Sequence, residues 1–238
     1  MGGGASDSRR RPLRILFVHH RSELGGAPTS LSYLIRSLDR ERYEPHVYSP
    51  RGPAADLFRS AGAAVHTGPV STFTHIWASV YRGRRWLLFL RELALLPMHL
   101  TALSRTLRAQ RFDIVHLNDS PLVAAAFVAR RHNVPIVWHL RSALPGEGAD
   151  LRSRLVRAVI RRLASDAIAI NEDVAASFDV GATIVPNAVD LERFGPATTA
   201  DAKEHLGIDA AQSVISFFGF IYPSKGFREF IGAAREIR

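Results

Sequence analysis

The sequence predicts an α/β protein with a parallel sheet, helices on both faces of that sheet, and an incomplete second domain behind it. Three observations predict this. Short apolar runs alternate with segments of helical period, which is the order of strand–helix–strand units. The apolar runs lack polar alternation, as strands buried on both faces do. The 238 residues are 47% hydrophobic, enough for a core of domain size.

Residues 1–13 are rich in Gly, Ser and Arg and read as a disordered tail. Ser8-Arg9-Arg10 faintly suggests a twin-arginine signal, but the apolar run behind it is too short for a leader. The first strand is Arg14–His19. Glu23–Pro28 forms a glycine loop, and Leu31, Leu34, Ile35 and Leu38 give the following segment a helical stripe. Glu44–Tyr48 is a second strand, residues 54–61 a helix, and Val65 ends a short third strand.

Arg84–Arg108 is the longest helical segment. Leu93, Leu96, Leu100, Leu103 and Leu107 make one apolar stripe, widened by Trp86–Leu90, and the stripe reads most simply as buried beneath solvated arginines. Pro97 should kink or interrupt this helix, because proline lacks an N–H and its ring crowds the preceding turn. Phe112–Leu117 and Pro135–Leu140 are strands on either side of a helix at Pro121–Arg131. Leu151–Leu163 is a helix, and residues 166–170 and 183–185 are strands. A linker of altered composition spans 188–212 and holds a short helix near 201–206. Val214–Phe218 reads as a strand, 219–226 as a loop and Phe227–Ala234 as a helix. The expected division is therefore 1–13 tail, 14–187 first domain, 188–212 linker and 213–238 the start of a second domain.

Charge is concentrated. The net charge is +9, and of the 31 cations only Lys203 and Lys225 are lysines. Residues 82–111 hold seven arginines against Glu92 alone, and residues 151–162 hold five arginines and no acid. Such segments suit an anionic surface or substrate, or are ordinary solvated helix faces. No uncharged apolar run reaches the length of a membrane span. With no cysteine, disulfides, thiolate metal sites and cysteine nucleophiles are excluded. No GxGxxG follows Val18, and no HExxH, GxSxG or P-loop occurs, so dehydrogenase, metalloprotease, serine hydrolase and P-loop readings lack an anchor. Nor is there a nucleic-acid-binding motif or a cluster of metal ligands.

Ligands of open parallel sheets bind at the carboxyl ends of strands, so His19, His20, Gly25, Gly26, Asn118, Asp119, His139, Arg141 and Asn171 are the residues to examine. His20, Asn118 and Arg141 are candidates for the acceptor side of such a cleft. The nearer role for Asn118-Asp119 is to cap the helix at Pro121, and for Asn187 and Asp190 to shape a turn.

Three segments carry a resemblance. ELGGAPTSL follows the first strand, VPNAVDLERFGP (Val185–Pro196) closes the first domain, and FFGFIYPSKGFREFIGAA opens the second. In this order and spacing the chain resembles the retaining GT-B glycosyltransferases of family 4. The resemblance implies a Rossmann-like first domain and sugar transfer from a nucleotide-sugar to a sugar, lipid-linked or small-molecule acceptor hydroxyl. It implies no cofactor beyond the donor substrate, no metal and no nucleic acid. Gly25, Gly26 and Lys225 match donor-phosphate positions, and His139 matches the histidine facing the reacting sugar. Two departures stand out. Gly219 is followed by Phe220 where relatives carry Arg, and the paired glutamates of the second domain lie beyond Arg238. The chain alone is therefore expected not to turn over donor. The alternative expectation is a non-catalytic module that binds acceptor or an anionic membrane surface. A cytoplasmic protein, peripheral on the inner face of the membrane, fits either.

Overall fold

In the computed structural model the described residues are 11–75, 81, 83–144, 151–195, 199–219, 221 and 225–237. Most of the tail read at 1–13, and parts of the 219–226 loop, lie outside them. The chain forms two compact units, Met1–Asp190 and Leu191–Arg238.

The first unit alternates strand and helix: β1 (Leu13–Val18), α1 (Gly26–Ser37), β2 (Tyr43–Ser49), α2 (Pro53–Ser60), β3 (Ala64–Thr67), α3 (Trp86–Ala109), β4 (Ile114–Asn118), α4 (Val123–Arg131), β5 (Ile136–Leu140), α5 (Leu151–Leu163), β6 (Asp166–Ala169), α6 (Glu172–Phe178) and β7 (Thr183–Ile184). The seven strands are all parallel, in the order β3-β2-β1-β4-β5-β6-β7. This is a Rossmann-like α/β fold.

β1 serves two cores. Leu16 and Val18 of β1 join one cluster with Leu103 and Leu107 of α3, Val128 of α4 and Ile160 of α5. Ile15 and Phe17 join the other, with Leu31 and Ile35 of α1 and Phe58 of α2. Alternation between two apolar faces is why these strands show no polar period. The order reverses between β1 and β4, so their carboxyl ends open a crevice at the switch point.

Four expectations are corrected. Pro97 does not interrupt α3, which runs through it as one 24-residue helix. The proline lies on an exposed face, and the Thr101 hydroxyl donates to the Pro97 carbonyl at 2.9 Å. The leucine stripe is buried only at its carboxyl end: Leu103 and Leu107 are in the core, whereas Leu93 is 38% exposed. α4 starts at Val123, with no side-chain cap, so Asn118 and Asp119 do not cap it. Val214–Phe218 is not a strand. The second unit shows no strand among its described residues, so an extended segment there has no ladder partner, and Phe218 is 93% exposed.

The second unit contains α7 (Thr199–His205) and α8 (Phe227–Ala234). Lys203 Nζ donates to the carbonyls of Ala210 and Gln212, at 2.7 and 2.6 Å, and closes the turn behind α7. α6 has no counterpart in the sequence reading. Its signal is local: Asn171 Oδ1 accepts the Val174 N–H at 2.9 Å, and Glu172 and Asp173 fill the first turn.

Candidate functional site

Parallel register sets Asn118, the last residue of β4, beside His139 of β5. Two residues further on, Arg141 leaves β5 and turns into the crevice. It is buried, and its guanidinium organises the site. Nε donates to Asn118 Oδ1 at 2.6 Å. Nη1 donates to Ser30 Oγ at 3.0 Å and Asn187 Oδ1 at 2.8 Å. Nη2 donates to His139 Nδ1 at 3.4 Å. The Ser30 hydroxyl also donates to Asn187 Oδ1 at 2.8 Å. One side chain thus fastens the helix behind the glycine loop, the Val185–Asn187 segment and the ends of two central strands.

Because a guanidinium only donates, it fixes the tautomers around it. Asn118 must present Oδ1 to Arg141, so its Nδ2 donates to His19 Nδ1 at 3.0 Å. The His19 proton then sits on Nε2. By the same logic His139 accepts at Nδ1 and carries its proton on Nε2, while His116 Nε2 donates to the same Nδ1 at 3.3 Å. His19 Nε2 and His139 Nε2 are both buried without a hydrogen-bond partner.

Burial, reinforced by the Arg141 charge, pushes His139 and His19 down to about 3. His116 is driven well below the ordinary imidazole value by burial and its histidine neighbour. Burial also lowers Arg141 to about 10, and Asp119 partly opposes this. At neutral pH the site therefore holds neutral imidazoles around one cation. Burial raises the Asp119 carboxyl. Its backbone is left-handed at φ 126, an uncommon conformation for a residue with a side chain, and Trp138 Nε1 holds its carbonyl at 2.9 Å.

Gly25 precedes α1 with φ 172, an ordinary extended conformation, and no side chain caps the helix. A Cβ built on Gly25 or Gly26 would meet nothing within 4 Å. Neither backbone strain nor packing requires glycine here. What the loop gains is an unobstructed approach to the first-turn N–H groups.

A cavity of about 510 Å³ opens beside this crevice, walled by His20–Glu23, the loop after β3, Tyr81 and the first turns of α3. His20 lines it, and His20 Nδ1 is buried and unpaired. Burial, with the neighbouring His19, holds His20 well below the usual imidazole value. Glu92 is buried in the wall. Its Oε2 accepts the Thr72 N–H at 2.7 Å, and its Oε1 pairs with Arg91 Nη2 at 3.0 Å.

The expected residues therefore divide. Asn118, His139 and Arg141 meet in one network, Gly25 and Gly26 lead into the helix fastened to it, and His20 faces the neighbouring cavity. Lys225 belongs to the second unit, exposed just before α8. Ser30, His116 and Asn187 are members that sequence reasoning did not single out as ligand-side residues. The signal available was the position of Asn187 inside the Val185–Pro196 segment.

The sequence profile of Glycosyltransferase Family 4 matches residues 24–193, most of the chain. The chain belongs to this family. No curated protein matches it in sequence. The structure of a glycosyltransferase from Rickettsia africae ESF-5 is similar, with a TM-score of 0.69 at 11% identity, covering 96% of this chain and 58% of that one. The apo lipopolysaccharide outer core galactosyltransferase WaaB gives 0.53 at 15% identity, covering 75% and 47%. A ugt transferase from Siraitia grosvenorii in complex with UDP gives 0.50 at 11%, covering 81% and 54%. At these identities the likeness is one of fold. This family 4 chain spans about half the length of these relatives, from 47% to 58%.

Proposed function

We propose that this chain carries the acceptor side of a glycosyltransferase that moves a sugar from a nucleotide-sugar to an acceptor hydroxyl with retention of configuration. The observation that carries the reading is the convergence on Arg141. It holds the helix of the glycine loop, the Val185–Asn187 segment and the His139 ring in one fixed arrangement. The glycine-loop helix and Val185–Asn187 belong to two of the three segments through which the chain resembles its family.

Each group has a task its chemistry suits. Gly25 and Gly26 leave the first-turn N–H groups of α1 open to a phosphate. Lys225 contributes a compact cation to the donor diphosphate. His139 is too weak a base to take a proton at neutral pH, but its Nε2–H is a fixed donor for a sugar oxygen. Retaining transfer in which the leaving diphosphate takes the acceptor proton needs no protein base, so a neutral histidine that positions and stabilises is sufficient. The cavity beside His20 and Arg21 holds the acceptor, with neutral imidazole, phenol and guanidinium groups available to its hydroxyls.

The test separates binding from turnover. Sugar and lipid-linked acceptors are titrated against the purified 238-residue chain by calorimetry, and each is then assayed for transfer from α-linked nucleotide-sugars. Acceptor binding that His139→Ala weakens, with no transfer by this chain alone, supports the proposal. Binding of neither acceptor class, binding unchanged in His139→Ala, or a β-linked product read by proton NMR refutes it.

A further inference from the structure

Two helices finish side by side at the end of the sheet opposite the crevice. α3 runs to Ala109 and leads into the amino end of β4, and α4 runs to Arg131 and leads into the amino end of β5. The crevice lies at the carboxyl ends, so the five residues of β4, about 16 Å of strand, separate the two regions. Between the last turns of α3 and α4 a groove of about 530 Å³ opens. Leu100 and Val128, which pack into the core, give it an apolar lining, and Phe127 beside them is 52% exposed. Ser104 Oγ and His132 Nε2 share a hydrogen bond of 2.7 Å across it. From Leu100 to Arg108 the α3 wall rises about 12 Å, the length of a small molecule rather than of a docked helix.

The groove carries charge of one sign. Arg105 and Arg108 of α3 and Arg131 of α4 line it, all three are exposed, and no acidic residue stands in its wall. None of the three forms an ion pair among the described residues. Arginines from both helices act on one ring: burial, then the Arg108 and Arg131 charges, hold His132 below its ordinary value, so the imidazole is neutral at neutral pH. A cation in the last turn complements the helix dipole, and Arg108 and Arg131 have that position. The dipole does not account for Arg105 on the same wall, nor for the lack of a carboxylate beside three guanidiniums. Arginines elsewhere are engaged by the protein itself. Arg157 donates to the Ser177 carbonyl, Arg161 pairs with Asp179, and Arg152 stacks on Tyr81.

We propose that the groove between α3 and α4 is a second binding site, for a soluble mononucleotide, with its phosphates on Arg105, Arg108 and Arg131 and its base against Phe127. Guanidinium forks pair with phosphate oxygens two at a time, and three of them match the charge of a diphosphate. An exposed aromatic ring next to cations is a stacking face for a base. The Ser104 hydroxyl and the His132 ring offer polar atoms to a ribose. The volume lies in the range of small-ligand sites. None of Gly25, Gly26, His139 or Arg141 lines this groove, so it is separate from the crevice and binds independently of sugar transfer.

The experiment titrates ADP, UDP, uridine and inorganic pyrophosphate into the full 238-residue chain by calorimetry, with nitrogen-15 spectra of labelled histidines as the local reporter. ADP and UDP are expected to bind and to move the His132 ring signals. Arg105→Gln combined with Arg108→Gln and Arg131→Gln should weaken that binding by about a hundredfold or more, and Phe127→Ala by about tenfold. All four positions are exposed, so thermal melting should show both variants folded. Arg105→Gln alone, expected to cost about tenfold, serves if the triple variant does not fold. Neither nucleotide binding at millimolar concentration overturns the proposal, as does binding that leaves the His132 signals in place or that the arginine variants leave as tight as the parent's. Pyrophosphate bound as tightly as UDP would make the groove an unselective anion patch, and uridine bound as tightly would make the arginines irrelevant; either result also overturns it.

Discussion

Lowering the pH from 8 to 5.5 should destabilise this fold through histidines that cannot be charged while folded. His19, His99 and His139 lie at 0%, 0% and 5% exposure. Burial is the first cause of depression in each, to about 3 for His19 and His139 and about 4 for His99. In the unfolded chain each returns to about 6.5. Between those values the unfolded state binds protons that the folded state does not, so stability is fully present above about pH 6.5 and falls as the pH drops toward 3–4. At pH 5.5 each ring costs about 1.4 kcal/mol relative to pH 8, or about 4 kcal/mol for the three. That is a large share of the 5–15 kcal/mol by which domains are usually stable. Urea unfolding followed by far-UV circular dichroism should show the midpoint falling by roughly 2 M between the two pH values. A His99→Gln variant, whose side-chain oxygen can still accept the Ser71 N–H, should show a pH effect smaller by about 1.4 kcal/mol. An unchanged midpoint from pH 8 to 5.5 would refute the reasoning.

Arg141→Met should cost about 2–4 kcal/mol in urea unfolding, because Asn118 Oδ1 loses its donor inside the protein and the links to Ser30 and Asn187 are broken. Arg141→Lys should recover only part of this, since one ammonium cannot reach four partners. Gly52→Ala should destabilise by about 2 kcal/mol or more, because φ is +145 and the new Cβ would sit 2.8 Å from the Ser22 carbonyl oxygen. Gly26→Ala should leave stability unchanged or raise it by about 0.5 kcal/mol, since its Cβ meets open space, yet lower nucleotide-sugar affinity measured by calorimetry. Trp138→Phe should cost about 2–4 kcal/mol by leaving a void and an unpaired Asp119 carbonyl.

The sheet was legible because its strands are apolar on both faces and its helices carry one stripe each. Leu16 and Ile15 enter different cores, yet in sequence they are simply neighbouring hydrophobes. The α3 stripe misled because periodicity reports that a face is apolar without saying what covers it. Leu103 and Leu93 look alike in sequence and differ entirely in burial. Pro97 misled because one missing N–H removes a single bond from the ladder of a 24-residue helix, and that loss does not end it. In the site, His139 and Arg141 were visible as polar residues at a strand end. Ser30 and Asn187 were not, because their meeting joins residues 157 positions apart through the side chain of a third. The second unit was the least legible part, as Val214–Phe218 has a strand's composition without a strand's neighbour.

The state of the His139 ring tests the account of the site most directly. Nitrogen-15 NMR of histidine-labelled protein reads which ring nitrogen carries the proton. A neutral ring protonated at Nε2 is expected, unchanged from pH 8 to 5.5, with an Nε2 signal that moves when a nucleotide-sugar or acceptor binds. A ring protonated at Nδ1, or one that titrates near 6.5, would contradict it.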